Sequence, residues 1–309
     1  MASFTAKDVA ALREKTNAGM MDCKKALTEA DGDMDKAIDF LREKGLAAQA
    51  KKSGRIAAEG VVQTYTDEAA NVSVVVEVNS ETDFVAKNDT FRSLVLGVAK
   101  TIAEQNPASV EALQDMTMSG KDETVAAAFQ EAVLSIGENM KIRRFERVTG
   151  HTATYVHGGG AVGVIVMFDT DDATAATAEF KEMGKDVAMQ VAAMSPQYLD
   201  PASVPADVLE HEKGIMIAQM KEDPKMANKP EAVLEKIVVG KIGKFYKEVC
   251  LLDQQYVKDG DMDVKGYVAS VAKKLGADIK VTGFIRYAKG EGLQKKEENF
   301  ADEIAKMVK

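Results

Sequence analysis

Residues able to do chemistry are few in this chain, and most occur in patterns that miss a required partner. Gly158-Gly-Gly160-Ala-Val-Gly163 satisfies the dinucleotide-binding glycine spacing. That chemistry needs a strand leading into a helix whose N-terminus receives a pyrophosphate. Here the glycines lie between two β-patterned runs, Thr152–His157 and Val162–Phe168, and read as a hairpin turn. His157-Gly-Gly-Gly160 imitates a lipase oxyanion loop, yet no Gly-x-Ser-x-Gly elbow supplies a nucleophile. No GxxxxGK[ST] loop is present to cradle a nucleoside triphosphate. The 3 histidines and the distant pair Cys23 and Cys250 give no zinc spacing. His151 and His157 fall on one strand face without a third ligand. Asp31, Asp33 and Asp35 imitate a calcium loop, but Lys36 stands where glycine is needed and Arg42 where a bidentate acid is needed. The reading is therefore a binding protein with no catalytic residue, no metal and no cofactor of its own. His157, at a hairpin mouth, reads as a hydrogen-bonding contact.

One stretch remains, Asn79-Ser-Glu-Thr-Asp-Phe-Val-Ala-Lys-Asn-Asp89. It joins a β-patterned run, Val72 to Val78, to an amphipathic helix, Phe91 to Ile102. Ser80 and Asp83 stand at capping-box spacing, and Asn88-Asp89 reads as a fresh N-cap at which the helix restarts. Phe84 lies seven residues before Phe91, so an unbroken helix would put both rings on one face. Lys87 and Asn88 interrupt that stripe. On local pattern alone Phe84 serves the core as readily as a contact.

The elements around this stretch belong to a soluble protein. The chain has 309 residues, 46% hydrophobic and 29% charged, which suits two or three globular domains. A net charge of −9 argues against bare nucleic acid or an anionic membrane surface as the main partner. Two separated cysteines, no signal region and no apolar run of spanning length point to a cytoplasmic protein.

The first 45 residues read as three helices. Thr5 and Asp8 form a capping box, with Phe4 and Val9 as a hydrophobic staple. Val9 and Leu12 face inward, and the helix breaks at Asn17-Ala-Gly19. Met20, Cys23, Leu27 and Ala30 give the second helix its face. Asp33 caps the third, with Met34, Ala37, Ile38 and Leu41 inward and Gly45 as its stop. Lys51-Lys-Ser-Gly-Arg55 reads as exposed linker.

From Val61 the chain repeats itself. Val72, Val74, Val76 and Val78 alternate inward in one copy, as do Val162, Val164, Val166 and Phe168 in the other. Helices at Phe91/Leu94/Val98/Ile102 and Phe180/Met183/Val187/Val191 follow. Asn106-Pro-Ala-Ser-Val110 is echoed by Asp200-Pro-Ala-Ser-Val204. Val125–Val148 aligns without gaps on Val264–Tyr287, pairing Gly137 with Gly276, Lys141 with Lys280, Phe145 with Phe284 and Arg147 with Arg286. Each copy is a β-hairpin, two helices and a third strand. Residues 111–124 in the first copy correspond to the much longer 205–263 in the second. The surplus is helical, with Val208, Glu212, Ile215/Met216 and Gln219 on one arm and Leu234, Ile237/Val238, Ile242, Phe245 and Val249 on the other. Asp223-Pro-Lys and Lys229-Pro mark the turn of a projecting antiparallel hairpin. A final helix carries Leu293, Phe300, Ile304 and Met307. In the second copy the corner reads Asp169-Thr-Asp-Asp-Ala-Thr, with Ala173 opposite Asp83 and Thr174 opposite Phe84. A corner built without the Asp-Phe pair moves Phe84 towards contact.

The chain closely resembles the elongation factor Ts family, the guanine-nucleotide exchange factors of elongation factor Tu. The residues that carry the resemblance are Leu12-Arg-Glu-Lys-Thr-Asn-Ala-Gly-Met-Met-Asp-Cys-Lys-Lys-Ala-Leu27, Leu41-Arg-Glu-Lys-Gly45, Lys52-Ser-Gly-Arg-Ile-Ala-Ala-Glu-Gly60, Thr82-Asp-Phe-Val-Ala-Lys-Asn88, Tyr155-Val-His157, Thr282-Gly-Phe-Ile-Arg286 and Gly290-Glu-Gly292. Asn17 stands where the family usually has glycine, and Gln49 and Ser53 replace alanines. The implied fold is α+β. It comprises a three-helix UBA-like domain (1–50), a linker (51–60), core subdomain N (61–150) and core subdomain C (151–204 and 250–290). An inserted coiled-coil dimerisation arm (205–249) and a C-terminal helix (291–309) complete it. The implied partner is elongation factor Tu, with a homodimer through the arm and neither nucleic acid nor membrane. Thr82, Asp83, Phe84 and Val85 would intrude beside the magnesium site of the GTPase. His157 would touch another of its domains, and Arg13, Met20 and Met21 of the three-helix unit would anchor on its nucleotide-binding domain. The rival reading is a docking or chaperone adaptor that binds the GTPase without speeding nucleotide release.

Overall fold

Capping chemistry and apolar periodicity set the elements in chain order. The computed structural model describes residues 4–294 apart from 17 and 224–228. Three helices come first, α1 (Ala6–Thr16), α2 (Met20–Glu29) and α3 (Met34–Lys52). The first copy follows with β1 (Glu59–Asp67), β2 (Val72–Ser80), α4 (Asp83–Ala86), α5 (Asp89–Gln105), α6 (Val110–Gln114), α7 (Val125–Ile136) and β3 (Met140–Thr149). The second has β4 (His151–His157), β5 (Val162–Asp169), α8 (Asp172–Ala175) and α9 (Ala178–Met194). Then come α10 (Ala206–Glu222), α11 (Glu231–Val249), α12 (Val264–Leu275) and β6 (Lys280–Ala288). The class is α+β, with two antiparallel sheets ordered β1-β2-β3 and β4-β5-β6. The expected terminal helix at Phe300, Ile304 and Met307, the break at Asn17 and the turn at Pro224 and Lys225 lie outside the described residues.

The chain divides into two compact units. One holds the residues up to Val148, the tip Val156–Gly163 and the stretch from Tyr287; the other holds Thr149–Tyr155 and Val164–Arg286.

In the first unit the Thr5–Asp8 capping box forms as expected. The Thr5 N–H and hydroxyl each donate to Asp8 Oδ2 at 2.7 Å, and the Asp8 N–H donates back to Thr5 Oγ1. Asp33 Oδ1 caps α3 by accepting from the N–H groups of Asp35 and Lys36 at 3.0 Å. Leu12, Cys23, Ala26, Leu27, Ala37 and Leu41 form the small core between these helices. Met20 is not part of it: at the first turn of α2 it stays 55% exposed, while Ala26 takes the inward place. Helix α3 also fails to stop at Gly45 and runs on to Lys52. A Cβ at Gly45 would lie 3.2 Å from Leu134 Cδ1 and 3.3 Å from Gln130 Cβ on α7. The glycine thus permits close helix approach. Its propensity penalty, about 1 kcal/mol, is small beside the continued packing.

Strand β2 is buried along its whole length. The expected face, Val72, Val74, Val76 and Val78, meets Phe91, Leu94, Val98 and Ile102 of α5 and Phe129 and Val133 of α7 in one cluster. The intervening residues, Ser73, Val75, Glu77 and Asn79, are buried too, on the opposite face. The tip from His157 to Gly163 covers part of it: the Val62 N–H donates to Gly160 O at 2.8 Å, and Gly163 lies against Val62 and Val75. The stretch after β6 covers Glu77. This carboxylate accepts from Arg143 Nη1 at 3.0 Å, Arg144 Nε at 2.7 Å, Asn79 Nδ2 at 3.1 Å and the Gly290 N–H at 2.8 Å. Gly290 has φ +67, and a Cβ there would overlap the Ala58 carbonyl oxygen. Burial pushes the Glu77 carboxyl up, but the four donor groups together outweigh it and hold the group below its ordinary range.

In the second unit α9 packs Met183, Val187 and Val191 inward, and Phe180 meets Phe168 edge-on with centroids 5.1 Å apart. Asp186 of α9 is buried and accepts from Tyr256 and Tyr267 hydroxyls at 2.8 and 3.1 Å and from Lys258 Nζ at 2.6 Å. The gapless repeat holds in detail. Helices α7 and α12 each have 12 residues, and Gly137 and Gly276 close them in the left-handed region. The surplus forms the helix pair α10 and α11, whose seam is Met216, Ile217 and Met220 against Leu234, Ile237 and Val238. The expected α10 line shares only Met216 with this seam, because each residue turns a helix face by about 100°. At its base the Tyr198 N–H donates to Val249 O, the Leu251 N–H to Tyr198 O and the Leu252 N–H to Leu199 O, all within 3.0 Å.

Replacing Glu77 with Gln should lower stability by about 3 kcal/mol, since two arginines lose their buried partner. Because its folded-state pKa is depressed, Glu77 contributes stability above the ordinary glutamate value of about 4.3 and loses it as pH falls further. Urea unfolding across pH 3–7 should show this acid-labile portion in the parent and a shallower pH dependence in Glu77→Gln.

Candidate partner-binding site

Strand β2 hands over to α4 through Glu81 and Thr82, and this corner is built differently from the sequence expectation. No capping box joins Ser80 and Asp83. Ser80 Oγ donates to Thr82 O at 3.0 Å, while the Asp83 carboxylate takes Lys87 Nζ at 2.6 Å. Thr82 is the N-cap, but its hydroxyl donates to Glu138 Oε1 at 2.6 Å and its N–H to Glu138 Oε2 at 3.0 Å. The grip is reciprocal, for Glu81 Oε1 accepts the Asn139 N–H at 2.7 Å. These long-range carboxylate bonds are charge-assisted and outcompete the local cap. The restart at Asn88 forms as expected, its Oδ1 accepting from the Thr90 and Phe91 N–H groups at 2.9 and 3.2 Å. Beyond it, Arg92 Nε donates to Ala86 O at 3.0 Å and Nη2 to Gly159 O at 2.8 Å.

Phe84 is 80% exposed, whereas Phe91 is fully buried. The restart breaks the helix between them, so the two rings do not share a face. Val85 is buried in the core cluster and Thr82 is half-buried, so within Thr82–Val85 the residues that reach out are Asp83 and Phe84. The hydrogen bond from Lys87 holds the Asp83 carboxyl below the usual carboxylate range.

The second copy gives the control, with a corrected register. Helices α4 and α8 start at Asp83 and Asp172, and Phe91 corresponds to Phe180. Asp172 therefore stands opposite Asp83, Ala173 opposite Phe84 and Thr174 opposite Val85. The pairing read from the strands was one residue out, because β5 ends one residue sooner than β2. Asp171 caps α8 through the Thr174 N–H at 2.8 Å, the bond that Thr82 does not make. The repeat keeps the acid and drops the aromatic.

The remaining expected contacts are spread over the first unit. His157 is exposed at the end of β4, before the left-handed turn Gly158-Gly159-Gly160. Arg92 ties that turn to the Phe84 corner. Arg13 is exposed on α1, and Met20 and Met21 open α2 at 55% and 74% exposure. Glu138 and Arg92 were not read as site residues. The available signal was faint: a polar Glu-Asn pair between a helix-closing glycine and a strand, and an arginine one residue after Phe91.

A family model described as Elongation factor TS matches residues 81–291. The chain is 48% identical over 307 residues to a protein of Clostridium perfringens named Elongation factor Ts, covering 98% of this chain and 99% of the relative. It is likewise 48% identical over 309 residues to the protein of that name from Clostridium kluyveri, covering 99% of each. For the one from Symbiobacterium thermophilum the figure is 48% over 313 residues, covering 100% of this chain and 99% of the relative.

The corner separates contact from packing in a way that thermal or urea unfolding can read. Phe84→Ala should change stability by no more than about 0.5 kcal/mol, as for other exposed positions. Val85→Ala, one residue on, should cost about 2 kcal/mol through lost burial and the cavity left behind.

Proposed function

The chain belongs to the elongation factor Ts family, which gives it a role in translation elongation, and we propose that it is a guanine-nucleotide exchange factor that binds the GDP form of elongation factor Tu and promotes GDP release. The observation that carries this reading is Phe84, a phenyl ring left 80% in water on a corner held from both sides by Glu138 and Arg92. Burying such a ring on a partner is worth roughly 1.5–3 kcal/mol. On a rigid corner little of that is lost to ordering. Asp83 brings a carboxylate beside the ring, paired to Lys87 until a partner donor replaces it.

The GTPase holds its nucleotide with Mg2+, which demands near-octahedral geometry at about 2.0–2.1 Å. Phe84 wedges between partner helices and Asp83 disturbs the polar groups around the ion. Displacing those surroundings weakens the ion, and the β-phosphate loses its largest neutralising charge. No covalent step is involved. By linkage, nucleotide weakens the factor's binding as much as the factor weakens the nucleotide's, so the abundance of GTP sets the direction. His157 adds a contact from the neighbouring turn, and Arg13, Met20 and Met21 form an adaptable anchoring surface, as exposed methionines do. The arm α10–α11 serves self-association, supported by exposed Ile215, Val233 and Val239. Sedimentation velocity should show Val239→Glu shifting the chain towards monomer.

Stopped-flow release of a fluorescent GDP from elongation factor Tu tests the exchange reading. Phe84→Ala should slow the maximal release rate about ten- to a hundredfold, the kinetic equivalent of losing one ring's burial. Complex formation with the nucleotide-free GTPase should weaken far less. Wild-type acceleration by Phe84→Ala would remove the wedge role, and binding without any acceleration by the parent chain would favour the adaptor.

A further inference from the structure

The guanidinium of Arg92 joins two parts of the first unit that the sequence separates widely. On the first turn of α5, its Nε donates to Ala86 O at 3.0 Å and its Nη2 to Gly159 O at 2.8 Å. Ala86 is the last residue of the four-residue helix that carries Phe84, where carbonyls have no intrahelical donor. Gly159 sits at φ +64 between Gly158 and Gly160, both also left-handed, in a turn with no side chains to fix its shape. Both acceptors are neutral carbonyls, so this brace depends on the reach of a planar fork rather than on charge. Lysine keeps the charge, but its three donors all sit on one nitrogen and cannot span two acceptors as a fork does.

We propose that Arg92 is a positioning residue that locks the Phe84 corner and the turn after His157 into one rigid element, so that both meet the GTPase at a fixed separation. The functional half of this inference rests on the exchange reading; the mechanical half concerns the free chain alone. The N–H groups of Lys87 and Asn88 donate to Phe84 O and Val85 O, and those of Gly160 and Ala161 both donate to His157 O. These four amides report the two braced segments directly.

Amide hydrogen exchange on the free full-length chain is the first arm of the test. In Arg92→Lys, and in the uncharged Arg92→Gln, Lys87, Asn88, Gly160 and Ala161 should lose protection together while the α5 amides keep theirs and unfolding stays cooperative. Protection retained in all four, or lost in one segment only, overturns the brace. The second arm is fluorescent GDP release from elongation factor Tu. Arg92→Lys should lower the maximal rate about tenfold, short of the roughly hundredfold that a 1 Å misplacement can cost, with a smaller change in half-saturating concentration. Phe84→Ala and His157→Ala should act non-additively in the parent and additively in Arg92→Lys, since their coupling runs through the brace. A lysine variant that exchanges nucleotide like the parent overturns the proposal. If the parent chain does not accelerate release, the exchange reading falls and the hydrogen-exchange arm alone decides the brace.

Discussion

A carboxylate taken wholly out of water, Glu77 in the middle of β2, fixes the first unit. Alone in such a place it would protonate or unfold its surroundings, because desolvating a charge costs several kcal/mol. It stays ionised because donors converge on it from three parts of the chain: Asn79 on its own strand, Arg143 and Arg144 on β3, and the Gly290 N–H after β6. Arg144 also stacks on Tyr287 at 4.0 Å, and its guanidinium reaches the Glu291 carboxylate at 3.2 Å. The donors satisfy the acid only when all these segments are in place, so a local charge becomes a condition on the tertiary fold. Lys289 pairs with Glu59 on the edge strand and ties the same stretch a second time.

The consequence reaches the Phe84 corner along the backbone. Strand β2 runs from Glu77 through Asn79 and Ser80 straight into Thr82, where Glu138 takes over. Phe84 is therefore presented from a base buried on both faces. Most proteins bury a phenylalanine when they can, and this fold has a version of the corner, at Ala173, that does without one. The exposed ring is a cost to solubility that packing does not explain, while its rigid support removes the entropy that a floppy loop would lose on docking.

Sequence made the local features legible. The Thr5–Asp8 box, the Asp33 and Asn88 caps, the paired glycines 137 and 276, and the gapless helix-to-strand repeat are all determined within a few residues of themselves. What stayed hidden depends on distant partners. Glu77 looks like an outward residue in an alternating strand until residues 288–291 cover it. Gly45 looks like a helix stop until α7 lies across it. Ser80 and Asp83 have capping-box spacing, yet Glu138, 56 positions away, wins Thr82. The same holds for Arg92, whose side chain reads as an ordinary surface cation until Gly159 comes within 2.8 Å. Even the repeat misled by one residue at the corner, because strands and helices keep separate registers.

The hydrogen bonds at the foot of the helical arm, between Tyr198 and Leu199 on one side and Val249, Leu251 and Leu252 on the other, hold the outgoing and returning chain side by side. A loop closed at its neck costs entropy only as the logarithm of its length. Lengthening the arm beyond that neck therefore adds little to the cost of closing it. Length and outer surface can vary there at little entropic cost, and the shorter 111–124 connection of the first copy is the same position left unextended.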